Sequence, residues 1–243
     1  QGLFKGVQLF TADLVSNPFK LRVERALDDG FVQGDVYPEG PMRPLRGLQR
    51  GSVFNGTGDP LTPGYASKPG APRLKPEETA VPKVPVVPIS AANAQLLLAQ
   101  VRGTDIPRNW QGGMALRYHV GPGPVRVRVE VTTDEATAGT KQIHNTLGLL
   151  RGSTYPNEYV YIGSHRDSWG PGAADNISGT VSVLEAAQSL SEMAKRGDRP
   201  KRTIVFATWD AEEWGLVGST EYVEDDSLRL KAGAVAYLNQ DVS

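Results

Sequence analysis

The chain has 243 residues, 39% of them hydrophobic, so it is long enough to bury a core and to form one large or two modest domains. Its 26 Lys and Arg balance 27 Asp and Glu to a net charge of -1, and no block of like charge offers a footprint for nucleic acid or lipid headgroups. With no cysteine, disulfides, thiolate metal sites and a cysteine nucleophile are excluded together, and any metal must be held by imidazole and carboxylate.

Prolines and glycines concentrate before residue 125, which predicts turns and short strands rather than long helices. Residues 1–20 lack the ordered charged and apolar regions of a signal peptide, and no run approaches the roughly 18 apolar residues of a membrane span. Residues 68–88 are rich in proline with little periodicity and read as a wrapping loop or linker. Ser90 can then cap a helix whose Leu96, Leu97, Leu98 and Val101 supply an apolar stripe. This first region reads as a small α+β module.

From Val125 the texture changes. Strict alternation over 125–131 predicts a half-buried strand, and further strands are expected at 143–150, 159–163, 203–208 and 234–238. Between them, Asn176 or Ser178 can cap a helix carrying Val181, Leu184, Ala187 and Leu190 on one side, ended by Gly197 and Pro200. A shorter helix is expected over about 215–224. Strands alternating with helices predict an α/β sheet with functional loops at strand ends, and the boundary falls near residue 132.

The chemistry-bearing residues sit in those loops. In Tyr161-Ile-Gly-Ser-His165-Arg-Asp167-Ser-Trp169 a histidine directly follows a predicted strand, and Asp167 could accept its second ring N–H; alone, His-x-Asp equally fits a surface histidine and a capping aspartate. A glycine-rich loop delivers Asp175 to the start of a helix, where the dipole would also favour it. In Thr208-Trp-Asp210-Ala-Glu212-Glu213 three carboxylates crowd within four residues, which is costly unless water or a cation separates them. The last predicted strand leads to Asp241. One imidazole and these carboxylates are the ligand types that suit zinc.

Three of these segments, Gly163-Ser-His-Arg-Asp-Ser-Trp169, Trp209-Asp-Ala-Glu-Glu-Trp-Gly-Leu-Val-Gly-Ser-Thr-Glu221 and Tyr237-Leu-Asn-Gln-Asp241, resemble the glutamate carboxypeptidase II family of co-catalytic zinc exopeptidases. Upstream, Gln49-Arg-Gly-Ser52 and Gly58-Asp-Pro-Leu-Thr-Pro-Gly-Tyr65 resemble the protease-associated domain inserted in the same proteins. The resemblance implies a partial zinc-exopeptidase mixed sheet with helices on both faces (133–243), preceded by an α+β protease-associated domain (1–132). It implies that His165 and Asp241 bind one zinc, Glu213 the other, that Asp175 bridges both, and that Glu212 is the general base. It also implies a structural calcium between the two domains, on Thr62, Tyr65 through the main chain, Glu221 and Glu224, and a cis peptide at Asp175-Asn176.

Family members carry a second zinc-binding histidine further downstream. Only His119 and His144 are available here as substitutes, and both fall in predicted strands without a motif, so an incomplete catalytic domain with part of the second site is expected. Ser52 replaces the family's asparagine that helps hold an acidic substrate end, so glutamate specificity is not inherited. The expected activity is removal of single residues from peptides, as a carboxypeptidase, dipeptidase or aminopeptidase. The parent protein is expected to be a homodimer in an extracellular, periplasmic or membrane-anchored setting, with no anchor in this chain. Two alternatives are an inactive fragment and a catalytically silent binding protein; transferrin receptor shares the architecture but lacks a working metal site.

Overall fold

The computed structural model describes residues 45–47, 56–130 and 141–243. The position of Ser52, the last residue of the strand predicted over 125–131 and the boundary near 132 lie outside them. The chain divides into two compact units that are not contiguous in sequence: one takes 83–140 with the first fifty residues, the other 51–82 with 141–243.

In the first unit Ser90 is extended and its Oγ accepts the Asn93 N–H at 3.3 Å, which starts α1 (Ala91–Leu98) as the sequence predicts. None of the α1 residues is buried, however, and Leu96 is largely exposed, so the leucine run does not form a core-facing stripe. Two two-residue strands, β1 (Thr104–Asp105) and β2 (His119–Val120), pair antiparallel. The alternating segment after Val125 makes only a single bridge at Val125, and 126–130 form no strand. Alternation marks a chain that could lie half-buried, but a ladder also needs a neighbouring strand to bond it.

The second unit holds a four-stranded mixed sheet in the order β3–β5–β4–β6, formed by β3 (Thr146–Leu150), β4 (Tyr155–His165), β5 (Arg202–Trp209) and β6 (Ala234–Asn239). β4 runs parallel to both β5 and β6, and β3 pairs antiparallel with β5. Register sets Tyr161 against Val205, Gly163 against Ala207 and His165 against Trp209. All six are buried, as expected of parallel strands covered by helices.

The helix α2 (Gly179–Lys195) connects β4 to β5 and packs on both. Its end is a Schellman motif: Asp198 N–H bonds to Met193 O and Gly197 N–H to Ala194 O, with Gly197 left-handed at φ 106°. The buried face runs through Gly179 and Val183, whereas Val181 and Leu184 point outward, contrary to the predicted stripe. Periodicity locates an apolar arc but does not say which part of it meets the sheet. α3 (Val217–Asp225) matches the expected short helix, and α4 (Ser227–Gly233), which the sequence pattern did not reveal, leads into β6. Both connections place helices so that the carboxyl ends of β4, β5 and β6 open at one end of the sheet. Among the described residues no helix is long and apolar enough to cross a membrane.

Candidate metal centre

His165 is the last residue of β4 and is 4% exposed. Its Nδ1 lies 3.0 Å from the main-chain oxygen of Asp167 and 3.5 Å from that residue's carboxylate. A carbonyl can only accept, so Nδ1 carries a proton and Nε2 is the nitrogen free to act as a ligand. The sequence reading expected the Asp167 carboxylate in this role. That carboxylate stands 3.5 Å from Nδ1 and also accepts the N–H groups of Glu212 (3.0 Å) and Glu213 (3.2 Å). Asp167 thus ties the two loops of the site together, and these contacts, together with His165, hold its carboxyl below the usual range against the effect of burial.

Nε2 of His165 faces carboxylates: Asp175 at 3.0 Å, Asp241 at 3.5 Å and Glu212 at 3.7 Å. Asp175 stands in the Ala173–Ser178 turn between β4 and α2, preceded by left-handed Gly172 and followed by a cis peptide to Asn176. Asn176 is fully buried and joins three elements: its Nδ2 donates to Ser164 Oγ and Gln240 O, and its Oδ1 accepts the Gly179 N–H. Of the two candidate caps for α2, Asn176 therefore acts and Ser178 does not. A Cβ at Gly179 would collide with the main-chain oxygens of Gln240 and Asp241, so glycine there lets the end of β6 come against the helix and brings Asp241 to His165.

Glu212 and Glu213 occupy a short 3-10 turn (Glu212–Trp214) entered from left-handed Ala211. Burial, with Asp175 and Glu212 as the nearest like charges, raises Glu213 to about 7. Glu212 is also raised, by burial first and then by Asp241, Asp167 and Asp175, with His165 opposing. Burial disfavours a charged His165, but the Asp167 side chain and the negative charges of Glu212, Asp167 and Asp241 outweigh it and raise its pKa to about 9. His165 and Glu213 thus hold protons in the absence of a cation, and a dication would replace them. The donor set fits zinc: one imidazole nitrogen and carboxylate oxygens, with ligand atoms of His165, Asp175 and Asp241 within 4.8 Å of one another. These three are the residues that the resemblance assigns to one zinc. Asp210, the remaining member of the acidic run, turns away from them to Arg166.

The positions expected to hold calcium all fall in the second unit rather than between two units. Glu221 on α3 accepts the N–H groups of Asp59 (2.7 Å) and Ser67 (2.6 Å), which draws the 59–67 loop onto the helix. Tyr65 N–H bonds to Thr62 O at 3.3 Å within that loop. Thr62 is 1% exposed, and its Oγ1 and Glu224 Oε2 are buried atoms without a hydrogen-bond partner. Burial and the Glu221 charge raise Glu224. An all-oxygen group with two unanswered acceptors fits a hard cation. His119 pairs with Asp105 at 2.9 Å in the first unit, and His144 lies in the irregular segment before β3 rather than within a strand.

Sequence reasoning missed the Trp169–Trp214 contact (ring centroids 4.7 Å apart), although each tryptophan adjoins a motif residue. It also missed the tertiary role of Asn176, whose only sequence signal was its position before a helix.

A buried imidazole turned onto carboxylates at the carboxyl ends of parallel strands is the kind of centre that α/β metal-dependent hydrolases carry. Residues 145–243 match peptidase family M28. It is similar to a probable glutamate carboxypeptidase of Arabidopsis thaliana, 40% identical over 242 residues (96% of this chain, 34% of that protein). It is also similar to an aminopeptidase of Mus musculus, 38% identical over 227 residues (89% of this chain, 30% of that protein). A glutamate carboxypeptidase 2 homolog of Caenorhabditis briggsae is 40% identical over 221 residues (88% and 29%). The chain spans about a third of the length of these relatives. The solved structure of a peptidase M28 precursor from Shewanella amazonensis is 30% identical, over 46% of this chain and 23% of that one, at a TM-score of 0.36.

Proposed function

We propose that the protein is a zinc-dependent exopeptidase that hydrolyses terminal peptide bonds. The observation that carries this reading is the convergence of His165 Nε2 with the carboxylates of Asp175 and Asp241, beside Glu212. His165 and Asp241 would hold one zinc ion, Glu213 a second, and Asp175 would lie between them. Bound there, two dications would lower the pKa of a water molecule and polarise the scissile carbonyl.

The protein's own residues supply the rest. Asp167 keeps the proton of His165 on Nδ1 and holds the Glu212–Trp214 turn beside it. Glu212, half-buried and within reach of His165 Nε2, takes a proton from the attacking water and returns it to the leaving amine. No covalent intermediate on the enzyme is required. Thr62, Glu221, Glu224 and the Tyr65 main chain would hold calcium. The reading brings with it a protease-associated domain over 1–132, a homodimer and an extracellular, periplasmic or membrane-anchored setting.

The relatives' names include both a glutamate carboxypeptidase and an aminopeptidase. Peptides blocked at one end or the other should therefore be offered to the full-length zinc-loaded protein, with released residues read by chromatography. Glu212→Gln should lower the turnover number by about 10²–10⁴-fold while the zinc content stays unchanged. A turnover number within twofold of the parent's would refute the general-base assignment, and no cleavage of any terminal residue by the zinc-loaded parent would refute the activity.

A further inference from the structure

We infer that Asp210 is a positioning residue of the candidate metal centre, acting with Arg166 and Asn145 to fix the turn that presents Glu212 and Glu213. The inference rests on the metal-centre reading above but concerns a residue that touches none of its proposed ligands. Asp210 follows β5 directly, and its side chain is 25% exposed. Its Oδ2 accepts the His144 N–H at 2.9 Å and Arg166 Nη2 at 3.1 Å, and its Oδ1 accepts the Ala211 N–H at 3.0 Å. Arg166 Nη2 also donates to His144 O. One carboxylate therefore joins the residue after His165, the residue before Glu212 and the segment leading into β3.

The main chain closes the arrangement. Asp210 N–H donates to Asn145 Oδ1 (3.1 Å), and Asn145 Nδ2 donates to Gly218 O (2.8 Å). The first N–H groups of α3 are answered by the same turn, Val217 by Ala211 O (3.1 Å) and Gly218 by Asp210 O (3.0 Å). The packing is tight enough that a Cβ on Gly218 would lie 2.5 Å from Asn145 Oδ1 and 3.0 Å from Asp210 N.

What this network holds is an unfavourable backbone. Ala211 has φ 55° and ψ 37°, the left-handed region in which a Cβ crowds the following carbonyl. An alanine stays there only while its surroundings over-determine it. Here its N–H is held by Asp210, its carbonyl by Val217, and its methyl group is buried. From Ala211 the chain enters the Glu212–Trp214 turn directly, so a change in this one φ would swing both glutamates away from His165 and Asp175. The left-handed alanine and the outward-turned aspartate are thus two parts of one device.

The test uses the purified chain with zinc, read by chelator competition, and with cobalt(II), whose visible absorption reports ligand geometry. Asp210→Ala should weaken zinc binding about 10–100-fold and alter the cobalt spectrum. Adding Ala211→Gly, which makes the left-handed conformation freely accessible, should restore at least threefold of the lost affinity. A residue that only stabilised the fold would lower the unfolding midpoint and leave both metal readouts unchanged. Asp210→Ala that folds, binds zinc within twofold of the parent and keeps its cobalt spectrum overturns the inference, as does affinity that is lost but not recovered with glycine. If Asp210→Ala does not fold, Asn145→Ala, which removes a single contact to the turn, should weaken zinc binding at least threefold; an unchanged affinity then overturns it. Absence of zinc binding in the parent chain sinks the metal-centre reading itself, a result distinct from all of these.

Discussion

Asp167→Asn separates the two tasks that one aspartate performs. The main-chain oxygen that receives His165 Nδ1–H is retained, while the carboxylate that accepts Glu212 N–H at 3.0 Å and Glu213 N–H at 3.2 Å is replaced by an amide. An amide has one accepting oxygen, so one backbone N–H keeps a neutral partner and the other meets an NH₂ group. Charge-assisted hydrogen bonds contribute about 1.5–3 kcal/mol each, and leaving a part-buried N–H unanswered costs about 1–3 kcal/mol, so a net loss of about 2–3 kcal/mol follows. With a urea slope of about 2 kcal/mol/M, the unfolding midpoint should fall by about 1–1.5 M. Zinc affinity should fall about 10–100-fold, because the turn bearing Glu212 and Glu213 loosens while the His165 tautomer is kept. Urea titration followed by fluorescence of the tryptophans near the site, with chelator competition for zinc, measures both quantities. A midpoint within 0.3 M of the parent's, with zinc affinity within about twofold, would refute the argument that this carboxylate joins the two loops.

Zinc binding should release protons. Without metal, His165 with a pKa of about 9 is charged at neutral pH and Glu213 at about 7 is partly protonated, so calorimetry near pH 7.5 in buffers of differing ionisation enthalpy should find about one proton released. Apparent affinity should rise with pH up to about 9, and a pH-independent affinity would contradict the site's charge balance. Gly179→Ala should destabilise the chain by about 1–3 kcal/mol through collision with the Gln240 and Asp241 main chain, the opposite of the roughly 1 kcal/mol gain expected for alanine in an unhindered helix; a raised melting temperature would show that β6 does not approach α2 this closely. Thr62→Val removes a buried hydroxyl that has no partner, so it should leave the calcium-free melting temperature within a few degrees and abolish the rise that calcium gives the parent. An unchanged calcium response in that variant would remove Thr62 from the ligand set.

Much of this protein is legible in its sequence because the signals are local. Strands β4, β5 and β6 follow β-branched and aromatic runs, α2 ends at a glycine that can be left-handed, and the long motifs around His165, Glu212 and Asp241 mark candidate site residues by residue type and position. Other features depend on which distant segment arrives alongside. The 125–131 alternation predicts a strand, but residues 126–130 form none, because a ladder also needs a segment placed to bond it. Leu96 of α1 and Val181 and Leu184 of α2 are apolar by composition and exposed by placement. Asp59 and Glu221 meet across 162 residues, which puts the 56–82 segment in the same compact unit as α3, on the far side of the contiguous boundary expected near 132.

By itself, then, the sequence determined the chemistry of the candidate ligands: one imidazole and several carboxylates, no thiols, in loops after successive strands of an α/β sheet. Tertiary structure alone decided how those groups divide their work. Asp210 looks like a third member of the acidic cluster in sequence and is turned outward to Arg166 in space. Asp167 offers its main-chain oxygen to His165 and uses its carboxylate to tie in the neighbouring loop as well. The reason is physical: residue type fixes what a side chain can donate or accept, whereas its partner is set by the φ/ψ of single residues such as Ala211 and by contacts between segments that periodicity does not relate.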